Sequence, residues 1–274
     1  MSRKKLTVYL LAFSVLTIAT VIKIYADTTA DLLPVLNGFY SAWTASSGSS
    51  TLKYTLVDET SCNGNTDYIY TTATNNRESF SINLSSVPNG SAITAIEITP
   101  CASNHLSGSG TSNVNVFYRL NGSDSGDDGE YYLSGTTPTD QVPYEFLLIP
   151  NIKNGSTTLQ SGFVFVSGSK GARVSRLSTK ITYTSLNAPS NLTANASGTI
   201  KNLSWTDNSE YEDGFAVESS FYSTSSFSQI GTVGSNITTY TNSNNATGTI
   251  YYRVRAYNSG GSSSYSNVAS VTVF

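Results

Sequence analysis

Histidine is almost absent from this sequence, with His105 the only one, and cysteine, methionine, tryptophan and charge are also scarce. One imidazole leaves a Ser-His-Asp or Cys-His constellation a single candidate base, and His105 sits in NHLSGSG, a stretch of loop residues rather than an ordered element. Two cysteines that are not a CxxC pair, with one histidine, cannot supply a four-ligand zinc site of the usual composition. Charged residues make up 12% of the chain, about half the usual share, which leaves no basic stripe for a phosphate backbone and excludes nucleic acid as the expected partner. Glycine-rich stretches such as GSGTS carry no Lys-Ser/Thr and open no helix, so they read as turns rather than phosphate loops. Neighbouring acids Asp58-Glu59 and Glu212-Asp213 would face opposite sides of a strand and could not share a substrate. No catalytic residue and no cofactor is expected.

What is present is the palette of turns and half-buried strands: Gly, Ser, Thr, Asn and Tyr. The 274 residues suffice for about two ordinary domains. Residues 1–26 read as an export signal. Arg3, Lys4 and Lys5 form a positive start, and residues 6–22 are an almost uninterrupted apolar run before Lys23. Ala26 suits a cleavage site, but Ile24 is bulky two positions before it. A cleaved signal and a retained anchor helix spanning the membrane through residues 6–22 both fit. Removal of residues 1–26 takes four cations and no acid, moving the net charge from −3 to −7.

Beyond Asp27, alternating patterns recur at short intervals. In Ser79–Leu84, Phe80, Ile82 and Leu84 share one face; in Asn113–Leu120, Val114, Val116, Tyr118 and Leu120 do, with Phe117 the apolar exception on the other. Further strands are expected at 52–57, 67–72, 93–98, 145–149, 162–167 and 180–184, separated by turn clusters such as VPNGS and NGSDSGDDGE. Such a series over residues 31–185 predicts a β-sandwich, of jelly-roll type, with a strand order that periodicity does not reveal. The YTLVDET and KGARVSRLSTKITYT segments resemble β-sandwich modules of exported bacterial surface proteins, a likeness that carries no functional residues.

A boundary falls near residues 185–188, where SLNAP ends one pattern and Pro189 begins another. From there the matches run in order: Pro189 with Leu192, then Leu203-Ser204-Trp205, TDNSEYEDGF leading into Phe215-Ala216-Val217-Glu218, Tyr251 to Asn258, and a closing strand over 266–273. This segment, 189–274, resembles a fibronectin type III domain. The resemblance implies a second, smaller sandwich; alternation by itself points Tyr252, Val254 and Ala256 inward around Trp205. Ile250 stands where that family usually has a tyrosine that ties a corner of the sandwich. No Arg-Gly-Asp triplet occurs, so an integrin-binding role is not implied. The expected whole is an all-β chain of two β-sandwich domains, 31–185 and 189–274, after a signal or anchor.

Three groups of residues remain as candidate sites. Cys62 and Cys101 are expected to form a disulfide in an oxidising compartment. Asp124, Asp127, Asp128 and Glu130 concentrate oxygen ligands in one loop and could hold calcium, although their spacing is not that of an EF-hand. Trp43, Tyr54, Tyr68 and Tyr70 could stack on sugar rings if exposed, or pack the core if not. A surface polysaccharide or protein is the expected partner, bound without catalysis by an exported adhesion or recognition protein. A structural spacer or envelope component and a part of an extracellular carbohydrate-active system are the alternatives.

Overall fold

The computed structural model describes residues 26–47, 51–62 and 66–274. The expected export segment lies outside them, save Ala26. Among the described residues no helix is long and apolar enough to cross a membrane.

Strands β1 (Pro34–Ser41), β2 (Ile69–Thr71), β3 (Arg77–Ile82), β4 (Ala92–Asn104), β5 (Ser112–Leu120), β6 (Asp128–Leu133), β7 (Tyr144–Ile152), β8 (Leu159–Gly168) and β9 (Ala172–Thr184) build the first domain. One sheet runs β7-β4-β9-β2 and the other β1-β3-β8-β5-β6, all pairings antiparallel, with two-residue strands on their margins. From β2 onward consecutive strands alternate between the sheets except for the β5–β6 pair, which share one sheet, and this is the order of a jelly roll with β1 added at one edge. The second domain comprises β10 (Ser190–Ser197), β11 (Ile200–Thr206), β12 (Gly214–Ser220), β13 (Ser228–Gly234), β14 (Thr239–Asn242), β15 (Gly248–Asn258) and β16 (Ala269–Val273). Its sheets are β10-β11-β14 and β13-β12-β15-β16.

Alternation chose the faces correctly where one side of a strand is wet. Phe80, Ile82 and Leu84 are buried, as are Val114 and Val116, while Tyr118 and Leu120 pack on the margin of the same core. Tyr252, Val254 and Ala256 are fully buried with Phe215, Val217 and Trp205, and the Tyr252 hydroxyl accepts from Asn242 Nδ2 at 3.0 Å. Burying each large apolar side chain contributes roughly 1.5–3 kcal/mol, so these faces decide the sheet packing. Cys62 and Cys101 are bonded, with Cα atoms 5.6 Å apart.

Two sequence expectations are corrected. Residues 52–57 form no strand: Lys53–Leu56 is a short 3-10 turn. Its cause is tertiary, because Lys53 turns inward to bond Glu78 Oε2 at 2.7 Å and Trp43 O at 2.8 Å. Part of NGSDSGDDGE, expected as a turn, becomes the start of β6, which pairs with β5. There Tyr131 and Leu133 supply the buried residues that hold the polar segment on the sandwich.

Candidate functional site

The four aromatic residues that could either stack on a ligand or pack the core do not form one surface. Trp43 is 3% exposed; its ring lies edge-on to Phe163 and its Nε1 donates to Asn76 O at 2.9 Å. It is therefore a core residue and not a surface platform. Tyr54 packs against the same core from the 3-10 turn, its amide donating to Asn37 Oδ1. Tyr68 and Tyr70 do come together, on the outer face of the β2 sheet. His105 stacks flat on Tyr70, with ring centroids 4.0 Å apart, and the Arg173 guanidinium lies 4.6 Å from the Tyr68 ring centre. Burial, then Arg173, hold the His105 imidazole below its ordinary pKa, which favours the neutral ring. His105 is thus part of a packed cluster, not a free loop residue.

A second cluster, on the outer face of the other sheet, escaped the sequence reading. Between Asn37 and Ser41, β1 leaves register with β3, and Gly38-Phe39-Tyr40 bulges across the sheet. Phe39 N donates to Gln160 Oε1 at 2.8 Å and Tyr40 N to Ser79 Oγ at 3.1 Å, replacing the lost ladder bonds. Gly38 makes this approach possible, because a Cβ there would fall 2.4 Å from Ser79 Oγ. Beneath the bulge, Phe117 lies over Gly162, which has no room for a side chain, and is covered edge-on by Tyr40 at 5.6 Å. The apolar exception of β5 is thereby buried on the nominally wet face.

Around this stack stand two arginines and two aspartates. Arg77 lies 4.6 Å from the Phe117 ring centre and pairs with Asp127 at 2.5 Å; Arg119 lies 4.2 Å from that of Phe39 and pairs with Asp124 at 2.7 Å. The Tyr40 hydroxyl donates to the other Asp124 oxygen at 2.5 Å. Burial alone would raise the Asp124 pKa, but the Tyr40 hydroxyl and Arg119 outweigh it and hold the carboxyl below its ordinary range. Tyr40 is raised in turn, chiefly by its bond to Asp124. Phe39 itself is 64% exposed, standing on a support braced by the Arg77–Asp127 and Arg119–Asp124 ion pairs.

These bonds also distribute the calcium candidates. Asp124 and Asp127 each serve a different arginine, and Glu130 accepts from Asn113 Nδ2. Among the described residues, the group of metal-capable side chains within ligand distance is Cys62, Cys101 and Asp140, two of which are the disulfide. A shallow hollow of about 340 Å³ opens beside β1, lined by Asp31, Pro34, Val35, Asp58 and Asn83 among others. Its Asp31 is engaged by Arg176 at 3.0 Å.

The class defined by this architecture is a tandem of two antiparallel β-sandwiches. No family model and no curated protein matches the chain. Among solved structures it is similar to an Fn3-like protein from Clostridium thermocellum, at 30% identity over 33% of this chain and 96% of that one, with a TM-score of 0.29. It is also similar to a two-domain fibronectin type III segment of chicken tenascin, at 12% identity over 77% of this chain and all of that one, TM-score 0.36. A β-1,2-glucanase from Parabacteroides distasonis matches at 14% identity over 88% of this chain and 38% of that one, TM-score 0.30. The chain carries a fibronectin type III-like domain.

Proposed function

We propose that this chain is an exported binding protein that recognises a surface polymer, polysaccharide first and protein second, without altering it covalently. The observation that carries the reading is Phe39, an exposed ring raised above a sheet face and braced by Tyr40, Arg119 and Gln160. A preorganised aromatic loses little conformational freedom on binding, and its apolar face suits the C–H face of a sugar ring or an apolar side chain. A flat platform of this kind binds weakly alone and gains by repetition along a polymer. The disulfide and the fibronectin-like fold are consistent with an extracellular place of action. The one imidazole of the chain is committed to the Tyr70 stack, which favours binding over catalysis.

A glycan array with a matched protein pull-down, run on the wild type and on Phe39→Ala, tests the proposal. Loss of one exposed stacking ring should weaken binding about 5- to 30-fold, on the scale of ~1–2 kcal/mol. Retained binding by Phe39→Ala would move the site elsewhere. Release of reducing sugar would replace the binding reading with an enzymatic one, and silence from folded protein would favour a spacer.

A further inference from the structure

The two sandwiches touch at two separate places, and a flexible tether needs only one. The first is the connection itself. Ser185 Oγ bonds Asp27 on the first-domain side. On the other side, Asn208 Nδ2 donates to Ala188 O at 2.8 Å and Ser209 Oγ to Asn187 O at 2.7 Å, while Leu186 packs on the second core. Residues 185–188 of the short link between β9 and β10 are thus each bonded to, or packed on, one domain or the other.

The second contact is remote in sequence. Asn258, at the end of β15, is buried, and its Nδ2 donates to Gly90 O in the first domain at 2.8 Å and to Tyr211 O in its own at 2.9 Å. Its Oδ1 accepts from Gly260 N at 3.0 Å, which sets the turn that follows. Gly260 then lies so close to the first domain that a Cβ would fall 2.2 Å from Lys153 O and 2.9 Å from Gly90 N. The receiving surface is itself braced: Gly90 N donates to Lys153 O, Lys153 N to Ser91 O, and Lys153 Nζ to Asn89 Oδ1 at 2.6 Å. Gly90, at φ +83°, also packs on Leu186, joining the two contacts into one seam.

We infer that the Asn89-Gly90 and Ile152-Lys153 end of the jelly roll is a docking surface for the 258–261 turn of the fibronectin-like domain, and that this joint holds the tandem at one fixed angle. Relative motion is the default for domains joined by a small polar interface, so a fixed angle needs a specific lock. Two attachment points and a glycine approach with no spare volume supply it: rotation about the link breaks the bond from Asn258 Nδ2 to Gly90 O and pulls Gly260 off the Lys153 carbonyl. The consequence is a rigid unit that presents the Phe39 face at a set orientation to whatever lies beyond the C-terminal domain.

Nuclear spin relaxation on the full chain tests this, with the Trp43 and Trp205 indole signals reporting that each sandwich stays folded. In the wild type both domains should share one tumbling time. Gly260→Val should force the turn off Lys153, so that the two times part, the smaller C-terminal sandwich tumbling faster than the larger jelly roll. Asn258→Asp keeps the acceptor for Gly260 N but sets a carboxylate against Gly90 O, and should part them likewise; it decides the matter if Gly260→Val loses the Trp205 signal. Independent tumbling in the wild type overturns the inference, as does a shared time in the folded variants.

Discussion

Glu59 shows how one side chain can set the pH response of the first domain. Burial, followed by the charge of Asp67, raises its carboxyl to about 7. A folded-state pKa above the unfolded value means that the folded state binds the extra proton. The associated stability is complete below about 4.5 and is lost as the pH rises through about 7. The expected loss is on the order of 1–2 kcal/mol, because solvent screens part of the effect at this half-buried group. His105, lowered by burial, acts in the opposite sense, gaining stability as the pH rises toward the free imidazole value. Urea titrations at pH 5 and 8 on wild type and Glu59→Gln separate the two: the substitution should remove the fall and leave the histidine's rise. At the centre of the same domain, Lys53 and Glu78 are 2% and 0% exposed and bonded at 2.7 Å. Replacing Glu78 by Leu strands a buried ammonium and should cost about 3–5 kcal/mol. The double change Lys53→Met with Glu78→Leu should recover most of that by the same denaturant assay; equal losses in both variants would show that the pair is not the cause.

At the scale of elements, β4 and β9 are the longest strands and pair along their lengths, and the disulfide ties Cys62 to the C-terminal part of β4. A bridge across 39 residues restricts the unfolded chain, so Cys62→Ser with Cys101→Ser should lower stability by about 2–4 kcal/mol, read from thermal unfolding of exported protein. Edge strand β7 carries Leu147 at 81% and Ile149 at 92% exposure, beside Pro150, which has no N–H to offer a further strand. Sequence alternation located β3, β5 and β15 because each has one wet and one dry face. It fell short on β4 and β9, where both faces are largely covered and polar residues such as Thr179 and Ser175 are buried as well. Strand β1 went unseen because its bulge breaks the period of two at Gly38-Phe39-Tyr40.

For the whole molecule, each sandwich has its own core, with Leu186 belonging to the second. Residues 186–274 alone should therefore fold as a β domain by circular dichroism, and should be more stable than 189–274 by about 1–2 kcal/mol, the burial of part of a leucine. An unstructured 186–274 fragment would show that the joint with the jelly roll is needed for folding. The sequence alone determined the all-β class, the inward faces around Trp205 and the similarity to fibronectin type III domains. Those are local properties: periodicity, turn chemistry and a motif read along one strand. Only the tertiary structure decided that Trp43 is core, that Phe39 is the exposed ring, that the acids of the 124–130 stretch answer to separate strand residues, and that Asn258 reaches Gly90. Each of these depends on side chains brought together from distant strands, where burial and pairing are set by neighbours that no local pattern contains.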